Sequence, residues 1–553
     1  MGEFLRPRAC LLLATVVLGA SSLVLAQSAK RTPVPKAQGS FRIAGTVVNT
    51  KTSQALGRVQ VAVTDTKNPK NSQTMATTDD GRFQFQVAAG KYSLQGSKRG
   101  FLTFAYEQHE NFWTGIVTGA GLNTENLMLR LPPTAMISGK VTDEIGEPVR
   151  GATITVFREN HLAGVSRIEG AANVATDDLG AYEVDSLGAG TYFVSATAQP
   201  WYAEHPLVSQ ANARAALIDR DLDVAYPASY YKEATEADDA TPIPLRPGDQ
   251  VEVDFHLNPV PAMHLVLHVP ADPARGAVPT LRKPGFDGVG VPVDGRAEQA
   301  TPGIYEMAGL APGKYILQTN NPSNGTMQGS TEVDLANDGQ ELDLAAAGPA
   351  ATVKMTVQLR GASELPARLY VGLRDEKGAV GGLSQVNDKG EVVFSGVLPG
   401  AYQVVAGASS KNYSVTRMVA EENVTSGHTL SVAAGASLQV TAVLVGGVTT
   451  VEGVAQRSGK PAPAAMVVLV PDDPEANLEL FRRDQSDLDG SFALAQVVPG
   501  SYTILAIENG WDLDWAKPAV IESYRRRGQR IVVPEGHKGS LHVSAPVEVQ
   551  PKL

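Results

Sequence analysis

The sequence predicts an all-β chain, a tandem series of about five small β-sandwich domains behind an N-terminal export signal. Three observations carry that expectation. Two Gly-headed turns, nine or ten residues apart, recur five times along the chain. Alternating apolar residues follow the turns, which marks half-buried strands. No long stretch repeats its apolar residues at helical spacing, and a fixed internal repeat points to stacked copies of one unit.

Composition sets the outer limits. The 553 residues suit four or five units of about 100 residues each. The 54 glycines and 35 prolines fit many short strands joined by turns. A net charge of −11 argues against a phosphate footprint, which needs clustered Lys and Arg, so no nucleic-acid partner is expected. Arg525-Arg526-Arg527 with Arg530 is the one basic cluster, and it reads as a solvated strand end.

The elements follow in order. Arg6 and Arg8 precede an apolar run from Cys10 to Leu25, and Val24-Leu25-Ala26 places a cleavage after Ala26. Residues 1–26 are therefore expected to be a signal peptide and 27–39 a linker. The run is short for a membrane span. Cys10 is the sole cysteine, so the chain beyond the cut has no thiol for a disulfide, a nucleophile or a metal. Export places the protein in the periplasm, on the outer surface or outside the cell.

The repeat pairs Gly81-Arg82-Phe83 with Gly90-Lys91-Tyr92, and Gly180-Ala181-Tyr182 with Gly190-Thr191-Tyr192. It continues with Gly303/Gly313, Gly390/Gly400 and Gly490/Gly500. Asp before several of these glycines is turn chemistry, with Gly free to adopt positive φ. Phe83, Phe85 and Val87 alternate behind the first turn, and a tyrosine opens the strand behind the second, so the two strands are expected to pair as a hairpin. Strands at this spacing with turns between them indicate immunoglobulin-like sandwiches. The expected units are 40–131, 132–258 with a connector inserted, 259–348, 349–446 and 447–553. Stacked in line, they would behave as a rod or gently bent spacer, each touching mainly its neighbours.

Ile137-Ser138-Gly139-Lys140-Val141, Gly151-Ala152-Thr153-Ile154-Thr155-Val156, Thr176-Asp177 with Gly180-Ala181-Tyr182, and Gly190-Thr191-Tyr192 form the fullest copy of the repeat. This pattern resembles the carboxypeptidase regulatory-like domain, a transthyretin-like β-sandwich. The resemblance is strong in units one, two and five and weaker in three and four, where the first-strand glycine is missing. It implies a secreted bacterial multi-domain protein and a fold akin to carbohydrate-binding modules.

The residue sets that catalysis requires are missing from the sequence. None of the nine histidines has Glu three residues later, as a zinc carboxypeptidase of the associated type requires. His264 and His268 lie on one side of a strand and read as sheet-surface residues. No Gly-x-Ser-x-Gly elbow is present. Asp484, Asp487 and Asp489 have some of the spacing of a calcium loop, but the bidentate Glu is missing and the same position elsewhere is a turn. No catalytic residue, cofactor or metal ligand is assigned.

Nine residues after three repeat tyrosines stand Phe101, Trp201 and Trp511, with Tyr202 and Trp515 close by. Two readings of these aromatics stand. They plug the open end of each core, or they form exposed faces that stack on sugar rings. The sequence thus points to a non-catalytic envelope or secreted binding scaffold, with polysaccharide or an envelope protein as partner. The alternative is an accessory docking subunit of an envelope transport or peptidase system.

Overall fold

The five units share one strand order; in units one to three the two faces are separate sheets, and in units four and five they join into a single nine-stranded sheet. A computed structural model describes residues 40–553 apart from 206–219, 269–277, 321–326, 344–350 and shorter loop segments. Residues 1–39, with the expected export signal and linker, lie outside the described residues. The first strands are Phe41–Asn49, Ala135–Thr142, Met263–His268, Ala351–Leu359 and Thr449–Arg457. Each pairs antiparallel with the strand behind the first Gly turn, and parallel with a strand late in its unit. Units three and four, whose motifs are eroded, keep this register. On the opposite face the Tyr-bearing strands Gly90–Ser97, Gly190–Thr197, Gly313–Asn320, Gly400–Ala408 and Gly500–Ile507 pair antiparallel with Gln60–Asp65, Thr153–Asn160, Val278–Lys283, Leu369–Arg374 and Met466–Pro471.

The core sits between the sheets. In Arg82–Val87 the buried positions are Phe83, Phe85 and Val87, and Tyr92 and Leu94 face them from the other sheet. Burying a side chain of this size contributes roughly 2 kcal/mol. The glycines of the first turns take φ of 69–87° in all five units, as the Asp-Gly chemistry anticipates. First-strand Gly45 and Gly139 have a different role. A Cβ built on Gly139 would stand 2.0 Å from Val253 O, and one on Gly45 2.0 Å from Leu127 O. The chain segment on the parallel side approaches too closely for any side chain.

The hairpin expectation is corrected. Arg82–Val87 pairs with the first strand, whereas Gly90–Ser97 pairs with Gln60–Asp65 in the opposite sheet. The intervening turn is a corner that carries the chain across the core. Alternation alone reads the same for a hairpin and for a corner, because both strands bury one face. The tyrosine pins the corner: its hydroxyl donates to the carbonyl four residues upstream, Ala88 in unit one (3.2 Å), Gly188 in unit two (2.9 Å) and Val498 in unit five (2.8 Å). Tyr315 does the same to Ala311. Such a tyrosine corner fixes where one sheet hands over to the other.

The rod expectation is also corrected, because unit five packs back on units one and two. Arg483 forms an ion pair with Glu110 and lies over the rings of Phe112, Trp511 and Trp515 at 4.9, 5.2 and 4.8 Å. Asp487 accepts the Gly115 N–H at 2.9 Å and pairs with Lys91. Gln485 joins His109 (3.1 Å) and Thr114 (2.8 Å). From unit two, Ser166 N–H donates to Asp514 Oδ1 at 2.6 Å, and His161 Nδ1 lies 3.0 Å from the same oxygen. The carboxylates at 484–489 are thus directed at protein donors: Asp484 accepts the Ala493 N–H at 2.7 Å, and Asp489 the Ser491 N–H at 3.0 Å.

Two smaller readings change. The basic cluster begins on a helix, Pro518–Arg525, with Pro in its first turn, where its absent N–H costs nothing. Arg525 and Arg530 both reach Asp472 (3.4 and 2.8 Å). His264 is buried rather than on the sheet surface, with Nδ1 2.8 Å from Asp338 and Nε2 3.7 Å from Asp223.

Candidate functional site

The five sequence-predicted aromatics have separate fates. Trp511 and Trp515 are 8% and 6% exposed and belong to the contact between units five, one and two. His109 stacks on Trp511 at 5.1 Å with an interplanar angle of 6°, and Phe481 lies 5.7 Å from Trp515. Neither ring has a face open to a sugar, so both leave the candidate set. Phe101 is half-buried against the unit-one core and bridges to Pro133 at the junction with unit two. It closes the end of its sandwich.

Trp201 is 85% exposed. The strand Gly190–Thr197 ends just before it, and the Ala203 N–H bond to Pro200 O (3.1 Å) folds the chain into a tight turn with Trp201 at its tip. Tyr202 stands edge-on to it at 5.8 Å and 88°. Its hydroxyl donates to Glu144 Oε1 at 2.5 Å, and Tyr226 donates to Glu144 Oε2 at 2.8 Å. Glu144 thus ties the aromatic turn to the 143–147 turn and to the connector. Burial opposes its charge, but the phenol and backbone donors outweigh burial and hold the carboxyl below its ordinary value. Desolvation, then the bond to Glu144, pushes Tyr202 up to about 12. Across the physiological range the bond therefore joins a neutral phenol donor to an ionised acceptor, a strong charge-assisted pair.

The same end of unit two exposes Ile145 (75%) and Leu179 (70%) in turns that flank Val141. The Val141 N–H bonds Gly180 O at 2.8 Å, and the Val149 N–H bonds Val141 O at 2.9 Å, so the two turns sit side by side. Three large apolar side chains in adjacent turns are an exposed patch of the kind that marks a contact surface. Trp201 was legible from its spacing after Tyr192. Glu144, which anchors the turn, was not, since nothing in its local sequence separates it from any turn carboxylate. Among the described residues no group of three or more His, Cys, Asp and Glu is arranged to hold a metal ion. No helix among them is long and apolar enough to cross a membrane.

Residues 42–118 and 136–219 match the family of the carboxypeptidase regulatory-like domain. Among solved structures, the Bacillus anthracis TIE protein aligns at 12% identity over 75% of this chain and 76% of its own, with a TM-score of 0.17. The minor pilin of Streptococcus agalactiae aligns at 12% identity over 40% of this chain and 97% of its own, with a TM-score of 0.20. The shaft pilin SpaA of Lactobacillus rhamnosus GG does so at 12% identity over 40% and 98%, with a TM-score of 0.18. Superpositions this loose say nothing of function. A search of curated proteins finds no match. The matched segments cover most strands of the first and second sandwiches, with the Gly turns and tyrosine corners described above, and stop short of their late parallel strands. Two segments of the chain are therefore similar to the carboxypeptidase regulatory-like domain, and they lie in a tandem all-β array.

Proposed function

We propose that the protein is an exported, non-catalytic binding scaffold that presents the Trp201 end of its second unit to polysaccharide. The observation that carries this reading is the 85% exposure of Trp201 on a turn anchored by Tyr202 and Glu144. An indole presented to water on an anchored turn offers its face to the apolar face of a sugar, and the anchoring of the turn lowers the backbone ordering that binding costs. The exposed Ile145 and Leu179 extend the contact beside it. Export rests on the apolar run behind Arg6 and Arg8, and absence of catalysis on the lack of a convergent nucleophile, base or metal set in the sequence.

A second reading has its own observation. Arg167–Ala175, nine residues long, is the outer strand of its sheet, and its far edge pairs with no strand among the described residues. A protein partner could add a strand there. Retention of purified residues 27–553 on insoluble polysaccharides and on envelope fractions separates the two. Polysaccharide retention lost in W201A supports the first reading. Retention on envelope protein alone, unchanged in W201A, replaces it with a docking scaffold.

A further inference from the structure

A cavity of about 230 Å³ lies at the junction of units two and three, lined in part by Ala198 and Gln199 just before Trp201 in the chain. Unit two and its connector contribute Thr197, Tyr226, Pro227 and Thr235, and unit three contributes Lys283 and Tyr315. Lys283 is 5% exposed. Its Nζ donates to Glu236 Oε1 at 2.9 Å and lies 5.3 Å from the centroid of the Tyr315 ring. An ammonium has three N–H donors. Glu236 takes one, and the Tyr315 ring, at 5.3 Å, attracts the cation without accepting a hydrogen bond. The remaining donors have no acceptor among the described residues, and Lys283 lines the cavity. A buried donor left without an acceptor is unfavourable, so the cavity is set to receive an oxygen atom.

The surroundings select which oxygen. Glu236 already balances the ammonium charge, so a second anion would meet the carboxylate's repulsion, whereas a neutral oxygen would not. The hydroxyls of Thr197 and Thr235 can both donate and accept. The hydroxyls of Tyr226 and Tyr315 are committed to Glu144 and Ala311, so these two residues offer the cavity ring surface, as Pro227 does. An apolar wall with a rim of hydroxyl partners and one cationic donor is complementary to a sugar ring. We propose that this cavity binds a single neutral pyranose, with one ring hydroxyl accepting a hydrogen bond from Lys283 Nζ. Trp201 is not among the lining residues, so a variant at each place tests the two sites separately.

The test is calorimetric titration of residues 27–553 with glucose, galactose, mannose and N-acetylglucosamine, with glucuronate as the charged counterpart of glucose. At least one neutral sugar should bind saturably. Lys283→Met should weaken that binding by about tenfold, the loss of one charged hydrogen bond. Thr235→Trp, which fills the cavity from its exposed rim without disturbing the buried lysine, should abolish it. W201A should leave it unchanged, and glucuronate should bind more weakly than glucose. The proposal is overturned if no neutral sugar saturates, if binding survives both K283M and T235W, or if glucuronate binds more tightly than glucose.

Discussion

Replacing Glu110 by Gln tests how unit five is held on unit one. Arg483 is 4% exposed at its side chain and Glu110 is 19% exposed, so the pair is largely shielded from water. Removing one partner of a buried pair costs about 3–5 kcal/mol, because the remaining charge stays buried. Three aromatic rings within 4.8–5.2 Å of the guanidinium offset part of that loss. Gln also retains an acceptor. The expected penalty is therefore about 2 kcal/mol, roughly thirtyfold in the closing equilibrium. Arg483→Met should cost less than E110Q. Met packs on the same rings, and the freed Glu110 lies close enough to the surface to hydrate. Trp511 and Trp515 report the contact once Trp113 and Trp201, which are exposed, are changed to Phe. Urea titration followed by the emission shift of the two remaining indoles measures the loss. The reasoning fails if E110Q lies within about 0.5 kcal/mol of its parent, or if R483M is the more damaging change.

Two further predictions rest on other particulars. Gly139→Ala should destabilise unit two by about 3 kcal/mol, because its Cβ must push the backbone at Val253 aside. Gly170→Ala, with open space around it, should shift thermal unfolding little, and equal effects would remove the close-approach argument. Desolvation pushes the Asp484 carboxyl up to about 6 from an ordinary 3.8. A group whose folded value is raised supports the fold fully below its unfolded value, and that support is lost as pH rises through the folded one. Stability of unit five should therefore fall between about pH 4 and 6, by at most about 3 kcal/mol. In D484N that fall should shrink, because Asn keeps an acceptor for the Ala493 N–H without the charge. Parallel pH–stability curves for the two proteins would contradict the assignment.

Much of the fold was legible because its determinants are local. Asp-Gly turns, the period of two in Arg82–Val87 and the tyrosine nine or ten residues on all act within a few residues. They locate strands even in units three and four. Whether two alternating strands pair or face each other across a core is not local, since Phe83 and Tyr92 point inward in either arrangement. The closure of the array was hidden for a related reason. Arg483 and Glu110 are ordinary surface types in sequence, and their partnership spans 373 positions. The position nine residues after the tyrosine carries an aromatic in three units, but packing decides its role. Phe101 closes its own core, Trp511 is covered by His109 and Phe112, and only Trp201 meets solvent with its ring uncovered.

The most direct test of the polysaccharide reading watches the indoles themselves. The chain has four tryptophans, so fluorotryptophan-labelled protein should give four fluorine resonances, assignable by single Trp→Phe changes. Soluble fragments of a polysaccharide that retains the protein would be titrated into this sample. The account predicts that the Trp201 resonance alone moves saturably, while Trp511 and Trp515 stay fixed in the interdomain contact. A titration that moves Trp113, Trp511 or Trp515 and leaves Trp201 in place would contradict it.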